Sequence, residues 1–401
     1  GWHFFNNNTI MECGSRYTWT LTFSFLFFKI FIVLLSKYGA NSVCINERET
    51  KKRIFHTLFS SVCFSHFDIS LQRHHMCCLI LISLFVLYVA YRIYQRDNPP
   101  PDVNPRGKYV LITGCDTGFG HQLAIELDEQ GFNVLAGVYN KDNQSSLQNK
   151  LSSKATVFPL DITKSDEVDA AFKLVQEKTN TLHALVNNAG IDQDAPIDWM
   201  TLDFMRNMLE VNFFAQVQMV KTFLPLLITK RDSRVVNLCS VAGYLAAPTM
   251  SSYSASKYAF EAFSDCLRRE MQPWGLRVSI IEPGFMRTPL IEGHVERMRK
   301  IWNESPVEIR RRWGEDYLEH ILERRSNNLF VYLAEDPMKV VNALQHAVSN
   351  SQPSIRYRPG WQSSCFFFPF SMIPAAITDA FIYYSRGRNV TPDGVIRQIQ
   401  S

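Results

Sequence analysis

The sequence predicts an α/β fold, a doubly wound parallel sheet with helices on both faces. Three observations carry this. Short apolar runs alternate with helical patterns between residues 108 and 281, and such alternation implies parallel strands joined by crossovers. A glycine-rich turn joins the first run to the helix after it. Polar residues suited to chemistry follow the ends of later runs, where open α/β sheets place their ligand crevice.

Residues 108–113 read as a buried strand, because Tyr109, Val110, Leu111 and Ile112 are continuously apolar. Thr113-Gly114-Cys115-Asp116-Thr117-Gly118-Phe119-Gly120 follows, then a helix with Leu123, Ala124 and Leu127 on one face. Glycines in such a turn let backbone N–H groups approach a pyrophosphate, and the helix N-terminus adds a favourable dipole. Close packing of a tight turn explains the same glycines equally well. A second strand spans residues 133–138. Dinucleotide folds often place a ribose-binding acid near its end. Here Val138 and Tyr139 stand there, with Lys141 and Asp142 just beyond. The motif leaves the choice of dinucleotide open. Further strands are expected at residues 155–160, ending at Asp161, and at 184–186, ending in Asn187-Asn188-Ala189-Gly190. Two more are expected at 234–238, leading into Ser240, and at 277–281, leading into Pro283-Gly284. Helices are expected over residues 165–178 and 203–227.

Tyr253 and Lys257 are four apart, with Ser240 thirteen residues earlier. Residues i and i+4 share a helix face. A neighbouring ammonium favours the phenolate and lowers a tyrosine pKa, so the pair suits proton transfer near neutral pH. The Ser240 hydroxyl suits the oxygen of a reacting alcohol or ketone. Alone, the spacing also fits an amphipathic surface helix.

Together these motifs, in this order, resemble the short-chain dehydrogenase/reductase family over roughly residues 107–385. The chain is most similar to the membrane-associated retinol and hydroxysteroid dehydrogenase branch, and also to 3-hydroxybutyrate dehydrogenase. Phe263-Ser264-Asp265-Cys266-Leu267-Arg268, Ile281-Glu282-Pro283-Gly284-Phe285 and Tyr357-Arg358-Pro359-Gly360-Trp361 carry that likeness. The resemblance implies a Rossmann-like fold with a helical substrate lid at about residues 285–330. It also implies roles. Tyr253 would exchange the proton with the substrate oxygen, Lys257 would bind the nicotinamide ribose, Ser240 would bind the substrate oxygen, and Asn212 would order a relay water. Gly114, Thr117, Gly118, Phe119 and Gly120 would hold the pyrophosphate. Asp161 and Ile162 would border adenine. Asn188, Ala189, Gly190, Pro283, Gly284 and Thr288 would line the rest of the cleft, although Asn188 also suits tying strands together. NAD is the expected cofactor, with NADP left open. The cofactor supplies the hydride and the protein supplies orientation.

The net charge of +4 gives no nucleic-acid signal, and the nine cysteines show neither metal-ligand spacing nor a disulfide framework. Residues 77–91 form an uncharged apolar run, followed by Arg92 and Arg96 and then Pro99-Pro100-Pro101. The expectation is an uncleaved membrane anchor at residues 76–93 and a stiff linker at 94–106. Residues 36–75 lack a convincing period, and Met76 is the expected natural start, with residues 1–75 an extension. If that extension is native, residues 18–35 suit a second membrane segment. Residues 361–385 are apolar and include three consecutive phenylalanines, Phe366 to Phe368. That segment suits core packing, a homo-oligomer contact or membrane lipid, with lipid favoured. Phe285, Met286, Leu290, Ile291, Met298, Ile301 and Trp302 suit an apolar lid; Arg310-Arg311-Arg312 suits a solvated face. Sequons at Asn143, Asn303 and Asn389 matter only for a lumenal domain.

The expected activity is interconversion of hydroxyl and carbonyl on a lipophilic small molecule, a retinoid or hydroxysteroid. The expected setting is a membrane, the endoplasmic reticulum ahead of the mitochondrion. Two other readings fit part of the sequence, a hydroxy-acid dehydrogenase and a catalytically silent Rossmann-shell binding protein.

Overall fold

The strand that organises the sheet is β1 (Tyr109–Ile112), whose last three residues are fully buried. It pairs in parallel with β2 (Asn133–Val138) on one side and β4 (Ala184–Asn187) on the other. Seven parallel strands run in the order β3-β2-β1-β4-β5-β6-β7, with β3 (Thr156–Pro159), β5 (Arg234–Leu238), β6 (Arg277–Ile281) and β7 (Arg356–Tyr357). The winding direction reverses between β1 and β4, which opens a crevice at their carboxyl ends. The computed structural model describes residues 83–87, 100–291, 293–385 and 390–401.

Strand side chains alternate between two apolar layers, as pleating requires. On one face, Val110 and Ile112 meet Leu123 and Leu127 of α1 (Gly118–Glu129) and Leu344 and Val348 of the late helix Met338–Ser349. On the other face, Leu111 and Leu185 meet Val168 and Val175 of α2 (Ser165–Lys178) and Met219 and Phe223 of α4 (Ala215–Leu227). The helix expected over residues 203–227 is three pieces: α3 (Leu202–Leu209), a π turn (Glu210–Phe214), and α4. Thr201 caps its start by accepting from Phe204 N. A π turn is a local bulge found most often at functional positions, and this one carries Asn212. The long helix α5 (Ser251–Glu270) presents Tyr253 and Lys257 from one buried face.

All six expected strands are present. The seventh, β7, was not foreseen because two residues are too few to show a period. It pairs Ile280 with Arg356 and Ile281 with Tyr357. The described part of the expected linker is docked on the domain: Val103 N donates to Ser349 O at 2.7 Å and Asn350 Nδ2 to Pro100 O at 2.7 Å. The expected extension at residues 1–75, most of the expected anchor, residues 94–99 and the sequon at Asn389 lie outside the described residues. Residues 83–87 are helical and exposed. Among the described residues no helix is long and apolar enough to cross a membrane.

The helical excursion after β6 comprises α6 (His294–Glu304), α7 (Val307–Trp313) and α8 (Glu315–Ser326). Its apolar residues divide in two. Met298 and Trp302 join Trp199, Leu318 and Leu322 in a small separate core, whereas Phe285, Met286 and Ile291 face the crevice. The side chain of Leu290 lies outside the described set. The C-terminal segment also divides. Phe367 packs on Phe330 and Phe285 with ring centroids 4.7 and 6.2 Å apart. Met372, Ile377, Phe381 and Tyr384 point outward, Tyr384 being 80% exposed.

His183, just before β4, stacks on Phe132 and lies within 3.1 Å of Val348 O through Nε2. Burial and the nearby Arg234 guanidinium push its pKa down to about 3. The folded protein therefore refuses a proton that the unfolded chain accepts near pH ~6.5. The resulting stability is fully present above that value and is lost as pH falls toward about 3. Between pH ~6 and ~4, wild type should lose stability relative to His183→Gln with a slope of at most about 1.4 kcal/mol per pH unit. Urea denaturation across that range measures the difference.

Candidate active site

A cleft of about 660 Å³ opens at the carboxyl ends of the strands. Among the residues proposed from sequence, Gly114, Thr117, Gly118, Phe119, Asp161, Ile162, Asn188, Ala189 and Gly190 line it. So do Ser240, Tyr253, Lys257, Pro283, Gly284 and Thr288. Two are set back from the wall, Gly120 and Asn212, and each acts on a neighbour.

The loop after β1 is shaped by what glycine lacks. Gly114 has φ +68°, and a Cβ there would come 2.8 Å from the Ala189 Cα, an immovable backbone atom. Gly118 has φ +65° and faces open space. Gly120 packs inward, where a Cβ would sit 2.4 Å from Asn188 Nδ2 and 2.5 Å from Gly114 O. Asn188 is consumed by this packing: its Nδ2 donates to Thr113 O at 2.8 Å and Gly114 O at 2.9 Å. It ties the β1 loop to the β4 loop. The N-terminus of α1 reaches the cleft through Thr117, Gly118 and Phe119, with no acidic residue in its first turn. An open cradle of backbone N–H groups at a helix dipole fits a pyrophosphate.

Asp116, inside the same loop, was not foreseen as a site residue. Its carboxylate accepts from Tyr139 N and Asn140 N, each at 2.8 Å, and from Asn143 Nδ2 at 3.2 Å. An acid from the loop thus stands at the end of β2, where the sequence offers none. Asp161 spends one oxygen on Thr163 N and Oγ1, at 3.0 and 2.7 Å, and still borders the cleft.

At the opposite half of the cleft, Ser240, Tyr253 and Lys257 converge. Ser240 caps a short turn, its Oγ accepting from Ala242 N at 3.1 Å. Tyr253 is 8% exposed and Lys257 5%. The Lys257 Nζ donates to Leu238 O at 3.0 Å and stands 5.7 Å from the centre of the Tyr253 ring. Asn212 is fully buried behind them. Its amide bridges the Ile191 backbone, accepting from N and donating to O at 2.9 Å each, and donates to Ser256 Oγ at 3.2 Å. The expected depression of the Tyr253 pKa is reversed. Burial pushes the phenol well above its ordinary value, Asp192 adds to the rise, and the Ser240 hydroxyl opposes it. Burial also pulls Lys257 down, opposed by Cys239, Asp192 and Glu261. Desolvation dominates both shifts because both groups lie in one dry site. At neutral pH the phenol is an acid holding its proton.

Asp192, two residues beyond Gly190, also lines the cleft and was not foreseen. Its position beside the Asn-Asn-Ala-Gly turn was the available signal. Among the described residues no group of His, Cys, Asp and Glu is arranged to hold a metal ion.

A family model described as short chain dehydrogenase matches residues 108–299. Retinol dehydrogenase 16 of Rattus norvegicus is 36% identical over 312 residues, spanning 77% of this chain and 97% of that protein. The 17-beta-hydroxysteroid dehydrogenase type 6 of Mus musculus is 35% identical over 313 residues, spanning 77% and 97%. A crystal structure of a short-chain dehydrogenase from Streptomyces avermitilis shares the fold, with a TM-score of 0.55 at 23% identity over 72% of this chain and 100% of that one. The chain belongs to the short-chain dehydrogenase/reductase family.

Cys239 lines the cleft beside Ser240 and Cys115 is packed into the core from the loop after β1, and both are buried with pKa values pushed up by desolvation. Neither suits nucleophilic chemistry, which needs the thiolate. Brief alkylation of the native protein at pH ~8 should mark Cys266 and Cys365, which are exposed, and spare Cys115 and Cys239 until denaturant is added. Peptide mass mapping reads the pattern.

Proposed function

We propose that this chain is a nicotinamide-dependent oxidoreductase that interconverts a hydroxyl and a carbonyl on a lipophilic small molecule, of the retinoid or steroid kind. The observation that carries the reading is the convergence of Ser240, Tyr253 and Lys257 in the half of the cleft opposite the glycine loop. The names of the relatives, retinol dehydrogenase and 17-beta-hydroxysteroid dehydrogenase, support the substrate class. So do Phe285, Met286 and Ile291, which make part of the cleft wall apolar.

The glycine loop and α1 would hold the pyrophosphate, and Lys257 the ribose next to the nicotinamide. When bound, the nicotinamide supplies or accepts the hydride. Tyr253 gives its proton to the carbonyl oxygen in reduction and takes it back in oxidation. Its raised pKa keeps the phenol protonated at neutral pH, the form that donates in reduction. Ser240 holds the substrate oxygen. Asn212 positions the Ile191 backbone and, through it, the wall beside Lys257. NAD is the favoured dinucleotide, because Asp116 holds a carboxylate at the end of β2, where a 2′-phosphate would meet like charge. The exposed apolar face formed by Met372, Ile377 and Phe381, with the apolar run at residues 77–91, supports association with a membrane, the endoplasmic reticulum ahead of the mitochondrion.

Tyr253→Phe should cut kcat by roughly 10²–10⁴-fold while leaving NADH affinity within about twofold, read by NADH fluorescence titration. Retained turnover would remove the assignment. Asp116→Asn removes the charge and keeps one of the two acceptor oxygens, so one of the hydrogen bonds from Tyr139 N or Asn140 N is lost. It should shift the NADH to NADPH preference by at least about tenfold toward NADPH, about 1.4 kcal/mol, measured as a ratio of kcat/KM values.

A further inference from the structure

The cleft has a charged wall beside the proton-transfer residues. After Gly190 the chain passes Ile191, pinned by Asn212, and then presents Asp192 to the cleft. Asp192 and Asp194 meet two cations from the helical excursion. His294, the first residue of α6, places Nδ1 3.0 Å from Asp194 Oδ1 and Nε2 3.8 Å from Asp192 Oδ2. Arg325, near the end of α8, pairs with Asp194. Side-chain exposures are 1% for Asp194, 9% for Asp192, 10% for His294 and 13% for Arg325, so the cluster is essentially dry. His294 and Arg325 thus pair most closely with Asp194. Asp192 lines the cleft, and its Oδ1 is buried with no hydrogen-bond partner among the described residues.

A buried acceptor without a partner costs free energy until a donor arrives. Burial raises the Asp192 pKa, and the field of His294, Arg325, Arg297 and Lys257 opposes that rise. If a second carboxylate enters beside it, one of the two must carry a proton, since two carboxylates in one dry site do not both ionise. A hydroxyl brings a donor for the carboxylate without a second charge.

We propose that Asp192 is the specificity-determining residue of this cleft: it accepts a hydrogen bond from a neutral hydroxyl-bearing substrate and turns away carboxylates. The inference rests on the oxidoreductase reading for the word substrate, and it sharpens that reading by setting aside hydroxy acids. It also gives the excursion a second purpose. His294 and Arg325 fasten α6 and α8 to the floor and, by occupying Asp194, leave Asp192 as the group the ligand meets.

The test compares 3-hydroxybutyrate with its methyl ester, each binding to the full chain with NADH present, read by the change in NADH fluorescence. Wild type should bind the ester at least about thirtyfold more tightly at pH ~7.5. Asp192→Asn, assayed at NADH concentrations that saturate each protein, should reduce that preference to less than about threefold, mainly by binding the acid better. A preference that is the same in both proteins would overturn the proposal. Wild type alone gives a second reading that does not depend on the variant folding. Affinity for the acid should rise about tenfold per unit fall in pH between ~8 and ~6, while ester affinity stays flat; acid binding independent of pH would equally overturn it. Turnover is measured separately. A chain that discriminates as described yet oxidises no alcohol would refute the catalytic reading and leave the role of Asp192 standing.

Discussion

A lysine ammonium buried at the floor of the cleft is the constraint that the surrounding structure answers. Lys257 is 5% exposed, and an ammonium carries three donors. Among the described residues it makes one hydrogen bond, to Leu238 O at 3.0 Å. Burying a charge with so little compensation is costly, and its pKa is pulled down accordingly. The neighbours that sustain the charge are acidic and come from separate elements: Asp192 from the loop after β4, and Glu261 one turn along α5. The main-chain surroundings leave no slack either. A Cβ on Gly190 would sit 3.2 Å from Asn212 Oδ1 and 3.8 Å from Lys257 Nζ. A Cβ on Gly243 would strike Glu261 Cγ at 2.8 Å and Cys239 Sγ at 2.9 Å. The π turn that carries Asn212 is thus part of the same solution, since it delivers an amide to the Ile191 backbone just where the floor must be held.

The far wall of the cleft is secured by a second buried network. Glu282 is 1% exposed and accepts from Arg356 Nε at 2.8 Å, with Arg358 Nε at 2.7 Å from its other oxygen. Arg356 also reaches Glu261 at 3.2 Å, so one guanidinium links the strand before Pro283-Gly284 to the helix that carries Tyr253 and Lys257. Burial and the nearby Glu261 push the Glu282 pKa up to about 7 despite both arginines. Desolvation wins because the carboxylate is deep and the guanidinium charge is shared. From the same side the C-terminal segment closes down. Ser363 Oγ donates to Glu282 O at 2.5 Å, and Gln362 Oε1 accepts from Phe285 N at 3.2 Å. The segment that reads from sequence as merely apolar is therefore built into the cleft wall at its start and becomes exposed only beyond it.

Most of the framework was legible because it repeats simple physics. Continuous apolar runs announced six strands, and the helix over Ser165–Lys178 has the bounds its periodicity implied. The cleft residues were legible where a motif is local, as at Tyr253 and Lys257 or the glycine loop. The rest was hidden by range or by size. β7 is two residues long. Asp194 and His294 are 100 residues apart, and nothing in either segment names the other. Asp116 sat in plain view inside the loop, but its reach to Tyr139 and Asn140 exists only after β1 and β2 are paired. The Tyr253 pKa was misjudged for a related reason: spacing reports which charges are near, whereas the shift is set by how much water has been removed.

That last point bears on how such a cleft works. A tyrosine lowered by a lysine in an open site would be partly ionised at rest and ready to accept a proton. Here the resting phenol is protonated and the ammonium is under-solvated, so each group is held away from the state that oxidation of an alcohol requires. Filling the cleft changes the balance on both sides. New acceptors around Nζ stabilise the ammonium charge, and a stabilised ammonium in a dry site pulls the phenol toward phenolate far more strongly than it would in water. The poise of the proton-transfer pair is therefore a property of the occupied cleft.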